Sequence, residues 1–165
     1  MSDYTTPRGA HAELMGIRFG GFDPATETVT LHCHAPDSFI TPRGAVQGGL
    51  IAGFLDEAMG WAHVMATAGV EAPLNLEISM TLLNMVPAGP LVCTGRVLRR
   101  GKRVIFLEGE LCDPAGKVLA FGVSNHRPSQ LALLQRRHAL ATHQIELSAL
   151  QRQALDDGTL DQCID

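Results

Sequence analysis

Gln47-Gly48-Gly49 stands at the head of an apolar run, Leu50-Ile51-Ala52-Gly53-Phe54-Leu55, that leads into Asp56-Glu57. Two adjacent glycines let a backbone turn tightly and bring its N–H groups close to a ligand. N–H groups at a helix start have no intrahelical acceptor, and the helix dipole there favours negative charge. They can polarise a carbonyl and stabilise the oxyanion that forms when it is attacked. An acid within an apolar helix is costly to bury unless it has a task, and Asp56 has the chemistry of a nucleophile or a general base. Gly48 and Asp56 are eight residues apart, about 12 Å along a helix axis. Attack on a carbonyl needs both functions within about 3 Å of one reacting group, so a single helix cannot supply both. If the two cooperate, Asp56 comes from a second copy of the helix running antiparallel across a symmetric interface. A C2 dimer then holds two composite sites.

Other side chains compete for roles. Glu57 is the rival acid, but it lies about 100° further round the helix, where it suits a cation at an interface better than the same carbonyl. His63 shares the face of Asp56 about 10 Å away and reads as a pocket or interface residue. Trp61, Met59 and Met65 could line a channel, although such residues on a buried helix ordinarily form core. His32 and His34 share a strand face without a third ligand at metal spacing, so no metal site is expected. Cys33, Cys93, Cys112 and Cys163 show no CxxC spacing and read as small buried hydrophobes of a reducing cytosol.

The elements that must position these residues follow from periodicity. Strand character covers 15–22 and 28–35, with a turn at Asp23-Pro24; Thr28 to Ala35 alternates polar and apolar as a half-buried strand does. A loop marked by Pro36, Pro42 and Gly44 follows. A long helix is expected from Gly48 to about Ala68, stopping near Gly69, apolar on nearly every side and therefore wrapped by a curved sheet. Four more strands are expected at 74–86, 90–99, 103–112 and 117–126. Their separators are Pro87-Ala88-Gly89, Arg100-Gly101-Lys102 and Asp113-Pro114-Ala115-Gly116. Leu133, Leu140 and Leu147 recur every seven residues after Ser129, which predicts an amphipathic C-terminal helix. The expected organisation is a flexible tail at 1–10, one domain at 11–128, and a helix and tail at 129–165. The α+β class follows: five to six antiparallel strands around a central helix. A chain of 165 residues supports one domain with a real core. A net charge of -4 argues against nucleic acid as the main partner, and no apolar run is long enough to span a bilayer.

Gly44-Ala45-Val46-Gln47-Gly48-Gly49, six residues, then Asp56-Glu57-Ala58-Met59-Gly60 resembles the hotdog-fold acyl-CoA thioesterases of the phenylacetate-degradation type. The resemblance covers residues 12–126, including the turn Pro87-Ala88-Gly89-Pro90-Leu91. It implies a hotdog fold and hydrolysis of an acyl-CoA to free acid and CoA in the cytoplasm, by a homodimer or a dimer of dimers. CoA enters as part of the substrate, with no separate cofactor. In catalysis, Gly48 N–H polarises the thioester carbonyl, Asp56 of the partner attacks or deprotonates water, and Gln47 fixes the geometry. The implied substrate-binding set is Gly49, Thr41, Glu57, Trp61, Arg100, Lys102 and Arg103. The last three, with Arg99, surround Gly101 and suit the CoA phosphates; a solvated hairpin tip is the plainer reading. Two departures stand out. Gln47 replaces the family's His and can donate and accept hydrogen bonds but cannot shuttle a proton. Thr41 replaces an Asn six positions earlier. The family often has a Ser or Thr that orients water at the start of the next strand, where Ala72-Pro73-Leu74 stands here. The changed His and Asn motivate an alternative, a hotdog module that binds acyl-CoA without hydrolysing it.

Overall fold

The computed structural model describes residues 9–71, 75–101 and 104–126. Alternation along the strands sets which face is buried. In chain order the elements are α1 (Ala10–Leu14), β1 (Arg18–Asp23), β2 (Thr28–Ala35), α2 (Gly48–Ala66), β3 (Asn75–Leu82), β4 (Gly89–Arg100), β5 (Ile105–Cys112) and β6 (Val118–His126). Val29, Leu31, Cys33 and Ala35 of β2 are buried while their neighbours face outward. Leu91, Cys93 and Val97 of β4 repeat the pattern, as do Ile105, Leu107 and Leu111 of β5. All pairings are antiparallel, in the order β1-β2-β4-β5-β6-β3. The strand that follows α2 therefore joins the sheet at its far edge.

This is the hotdog arrangement that the sequence implied, a curved sheet holding one long helix. The helix buries Ile51, Phe54, Leu55, Ala58, Met59 and Ala62 against the sheet. The sheet curves around the buried side of this helix, as expected, and the opposite side faces outward. Gly49 and Asp56 are exposed. The sheet stays open at β1 and β3, and the outer face of α2 carries glycines where a fully wrapped helix would need large apolar residues. The helix ends with Ala68 at φ 52, as Ala68 and Gly69 donate back to the carbonyls of Met65 and Val64.

The sequence reading missed α1, which begins at the expected tail boundary. Five residues are too few to show helical periodicity. Its C-terminal neighbour Met15 is buried over α2, so close that a Cβ added to Gly53 would lie 2.9 Å from Met15 Cε. The expected C-terminal helix, and most of the expected tail, lie outside the described residues. Cys33, Cys93 and Cys112 are free thiols. Burial pushes the Cys33 thiol up to about 12, as inert core cysteines require.

What lets α2 settle onto the sheet is a row of glycines. Gly95 of β4 pairs with Gly109 of β5, and Gly109 pairs with Gly122 of β6. A Cβ at Gly95 would come within 2.1 Å of the Ala58 carbonyl oxygen. At Gly109 it would meet Leu55 Cδ2 and Met59 Cγ at 3.3 Å, and at Gly122 it would meet Leu55 Cδ1 at 3.1 Å. The three missing side chains form a trough across adjacent strands. Helix backbone at Gly95 cannot move aside as a flexible side chain could. Gly95→Ala should therefore destabilise the fold by about 3 kcal/mol or prevent folding, read as the urea midpoint. Gly109→Ala, whose Cβ would meet Leu55, Met59 and the Thr94 carbonyl no closer than 3.3 Å, should cost clearly less.

Candidate functional site

The start of α2 is built by the loop before it. Val46 and Gln47 donate their N–H groups to the carbonyls of Val86 and Phe39, which fixes the direction in which the helix leaves. Gln47 is the N-cap, with φ -64 and ψ 135. Its side-chain Oε1 accepts from Leu50 N at 3.1 Å. The backbone carbonyl of Gln47 accepts from Leu50 and Ile51. Capping thus satisfies Leu50, while the N–H groups of Gly48 and Gly49 have no intrahelical acceptor and point along the axis. Here Gln47 acts on the helix end, in the way a capping side chain does. Thr41 donates both its N–H and its Oγ1 to the Ala45 carbonyl, at 2.8 and 2.9 Å. It closes the 41–45 loop that presents Gln47.

The surroundings of Gly48 are apolar. A Cβ there would lie 3.8 Å from Leu82 Cδ1 and 3.9 Å from Met80 Cε. Leu82 is 51% exposed and Leu83 55%, so the helix start lies beside an uncovered apolar surface at the end of β3.

Asp56 sits on the outer surface of α2, two turns from Gly48. Asn75 Nδ2, at the first position of β3, donates to Asp56 Oδ1. Asp56 is exposed in the single chain, yet its carboxyl is held above the usual carboxylate range. The first cause is desolvation by the protein around it, and the second is the neighbouring Glu57 charge. Glu57 itself is engaged within its own chain. Its Oε1 meets His11 Nε2 of α1 at 3.0 Å, and its Oε2 accepts from Trp61 Nε1 at 3.2 Å. Trp61 packs edge-on against Phe19, with centroids 6.2 Å apart. Glu57 and Trp61 thus anchor α1 and β1 to the flank of α2. His63 is fully buried, with Nε2 2.9 Å from Glu71 Oε2.

Arg100 has two acceptors, Glu27 Oε1 at 3.1 Å and the Ala66 carbonyl at 3.3 Å. It clamps the β1–β2 turn to the C-terminal end of α2, where a cation also complements the helix dipole. Arg99 is exposed beside it. Lys102 and Arg103 lie outside the described residues.

The structure therefore keeps the two candidate functions apart. Gly48 and Gly49 mark one end of α2 and Asp56 its outer face. The strand β3 runs back along the helix, so Asn75 meets Asp56 while Met80 and Leu82 flank Gly48. None of these three was singled out in the sequence. Asn75 stands one residue beyond Ala72-Pro73-Leu74, where no polar group was expected to face the acid. Its sequence signal is weak, a single polar residue opening a strand.

The model of the thioesterase superfamily matches residues 43–120, from the loop before Gln47 to β6. Residues 43–120 carry a thioesterase-superfamily domain. The fold of this domain recurs in a phenylacetic acid degradation-related protein from Ralstonia eutropha, 26% identical, with a TM-score of 0.69 over 73% of this chain and 91% of that one. It recurs at 16% identity in a Streptococcus mutans protein bound to acetyl CoA, with a TM-score of 0.60 over 67% of this chain and 86% of that one. A curated relative, Oxidoreductase YdhF of Escherichia coli, is 56% identical over 50 residues. That match spans 29% of this chain and 17% of the relative. Among the described residues, no helix is long and apolar enough to cross a membrane.

The raised carboxyl of Asp56 has a consequence for stability. Between the ordinary value of 3.8 and its raised value, the folded chain binds more protons at Asp56 than the unfolded chain does. Stability is therefore lost as pH rises through that window, and the deficit persists above it. Asp56→Asn should raise the thermal midpoint at pH 7. The gain should shrink as pH falls and disappear below 3.8, which differential scanning calorimetry across pH would measure.

Proposed function

We propose that this protein is an acyl-CoA thioesterase that works at a composite site made by two copies of the chain. The observation that carries this reading is the placement of the Gly48 and Gly49 N–H groups, which have no intrahelical acceptor, and exposed Asp56 on one helix of a thioesterase-superfamily domain. They are separated by about 12 Å, too far to meet on one carbonyl within a chain. Two copies of α2 packed antiparallel would put Gly48 of each beside Asp56 of the other. The outer stripe of α2 supports such packing: Gly49, Asp56 and Gly60 share one face, and two of the three have no side chain to hold a second helix away. The open edge of β3 supports it too, because an eight-residue edge strand presents unpaired backbone groups for a second copy.

In this site Gly48 N–H holds the thioester oxygen. Asp56 takes one proton from water, and the water oxygen forms the new bond to carbon. The C–S bond breaks with its electron pair on sulfur, and the proton held by Asp56 passes to the thiolate. Free acid and CoA thiol result. If Asp56 attacks directly, water cleaves the resulting anhydride and the products are the same. The CoA moiety of the substrate is supported by the acetyl CoA held in the Streptococcus mutans relative and by the exposed cation at Arg99.

Gly48→Pro provides a clean probe. Proline is tolerated at the first position of a helix, and it removes only the N–H. Gln47 already has the extended conformation that a following proline needs. With a panel of acyl-CoA thioesters and a thiol-reactive dye, wild type should release thiol. Gly48→Pro and Asp56→Asn should each lose about 100-fold or more in kcat while the oligomer persists. Mixed after dissociation and reassembly, the two inactive variants should regain about a quarter of wild-type activity, because half the dimers are hybrids with one intact site. Full activity of Asp56→Asn would sink the assignment. Saturable CoA binding without thiol release, in wild type and across the panel, would assign the chain to a non-catalytic acyl-CoA-binding module.

A further inference from the structure

Gly53, Glu57 and Trp61 follow one another at four-residue spacing, which places them along one ridge of α2. The segment before β1 lies on this ridge with the same spacing. Met15 sits at Gly53, where an added Cβ would come within 2.9 Å of its Cε, and His11, four residues earlier, reaches Glu57. The missing side chain at Gly53 therefore lets α1 come close enough for this contact. Glu57 is held at both oxygens: His11 Nε2 lies 3.0 Å from Oε1, and Trp61 Nε1 donates to Oε2 at 3.2 Å. Trp61 is braced in turn by Phe19 of β1. An unanchored glutamate on a helix surface moves among rotamers, and water screens its charge. The Glu57 side chain is 22% exposed and fixed at both ends of its carboxylate, so its charge stays in one place on a poorly solvated flank. Two neighbours that take no part in holding it feel that charge. The Cys33 thiol of β2 is raised first by burial and then by Glu57, and so is the carboxyl of Asp56.

We propose that His11 and Trp61 are positioning residues of the site: they hold the Glu57 carboxylate beside Asp56, where its negative charge strengthens Asp56 as the proton acceptor. The proposal rests on the hydrolase reading given above and brings α1 into that site without contact with substrate. Neighbouring residues on a helix point about 100° apart, so Asp56 and Glu57 do not share a carbonyl. They do share a field, because two like charges one residue apart oppose each other's ionisation. A base that ionises less readily takes a proton from water more readily. Glu57 thus acts through Asp56, and no bond to it forms or breaks in the reaction. Glu57 and Trp61, which the resemblance implied as substrate-binding residues, serve the acid instead. The other titratable groups on this flank have partners elsewhere or face away. His63 is held on Glu71, and Glu13 of α1 is exposed. The residue of β3 that meets Asp56 is the uncharged Asn75, and Glu77 alternates with Ile78, which packs on the core.

The test reads Asp56 itself. Carboxyl 13C NMR would follow its titration in the full-length protein, alongside kcat and KM for an acyl-CoA thioester across pH. Glu57→Gln removes the charge and keeps the shape, and the Asp56 midpoint should fall by about half a unit. The acid limb of the kcat profile should move down with it, and the plateau should fall about threefold with KM little changed. His11→Ala and Trp61→Phe each release one oxygen of Glu57, and each should move the Asp56 midpoint in the same direction by less. His11→Gln, which keeps a donor, should recover part of the effect. In the Glu57→Gln background, His11→Ala should move the midpoint no further, since His11 acts only through Glu57. A purely structural role would lower the thermal midpoint and leave the Asp56 midpoint in place. An Asp56 midpoint identical in wild type and Glu57→Gln would overturn the proposal. So would a rise in His11→Ala, because His11 would then be a compensating cation and not a holder. A shifted midpoint with an unmoved kcat profile would overturn it as well. Failure of the hydrolase reading looks different, because wild type itself would then release no thiol while the NMR titration still reports the coupling of Glu57 to Asp56.

Discussion

The contact between α2 and the glycine row of the sheet sets the position of everything else. At Gly95 the helix backbone reaches the strand, with the Ala58 carbonyl where a side chain would begin. Leu55 and Met59 fill the space above Gly109 and Gly122. A rigid backbone contact of this kind fixes the depth and rotation of the helix, and interiors packed to crystal-like density do not yield gradually. With its rotation fixed, α2 must bury Phe54, Leu55 and Ala58 and must turn Gly49 and Asp56 outward. The candidate site is thus the solvent side of a contact whose dry side is the core.

The flanks of α2 divide the labour around that outer face. On one side α1 and β1 are held by the Glu57–His11 and Glu57–Trp61 contacts and by Met15 over Gly53. On the other side β3 returns along the helix and gives each half-site its own neighbour, a polar one for Asp56 and apolar ones for Gly48. The electrostatics follow the same division. Asp56 is pushed toward its neutral form by burial and by Glu57, and Asn75 donates to one of its oxygens. A carboxylate raised in this way is a better proton acceptor than a fully solvated one.

Much of this was legible in the sequence where the physics is local. Strand alternation in β2, β4, β5 and β6, the turns that separate the later strands, and the start of α2 at Gly48 depend on residues within a few positions of one another. The three sheet glycines were also present as single glycines inside strand patterns, a signal of close backbone approach that becomes meaningful only when their registers align. Less local features were not legible. The partners of Glu57, the clamp of Arg100 on Glu27 across 73 positions, and the pairing of Asn75 with Asp56 across 19 positions depend on where distant segments pass. Glu57 and Arg100 looked available to a substrate because a sequence lists charges without their partners.

The sequence alone determined the types of chemistry on offer: free N–H groups at a glycine-led helix start, an acid two turns later, and a rise per residue that keeps the two from meeting on one chain. Those are consequences of covalent geometry and helical pitch, and no packing can alter them. Tertiary structure decided which groups are already engaged and which face outward. It turned Gln47 into a cap and Thr41 into a loop closure, gave Glu57 to His11 and Trp61, and brought Asn75 to Asp56. These outcomes require a sheet order in which the strand after the helix closes the far edge, and that order is set by burial summed over the whole core.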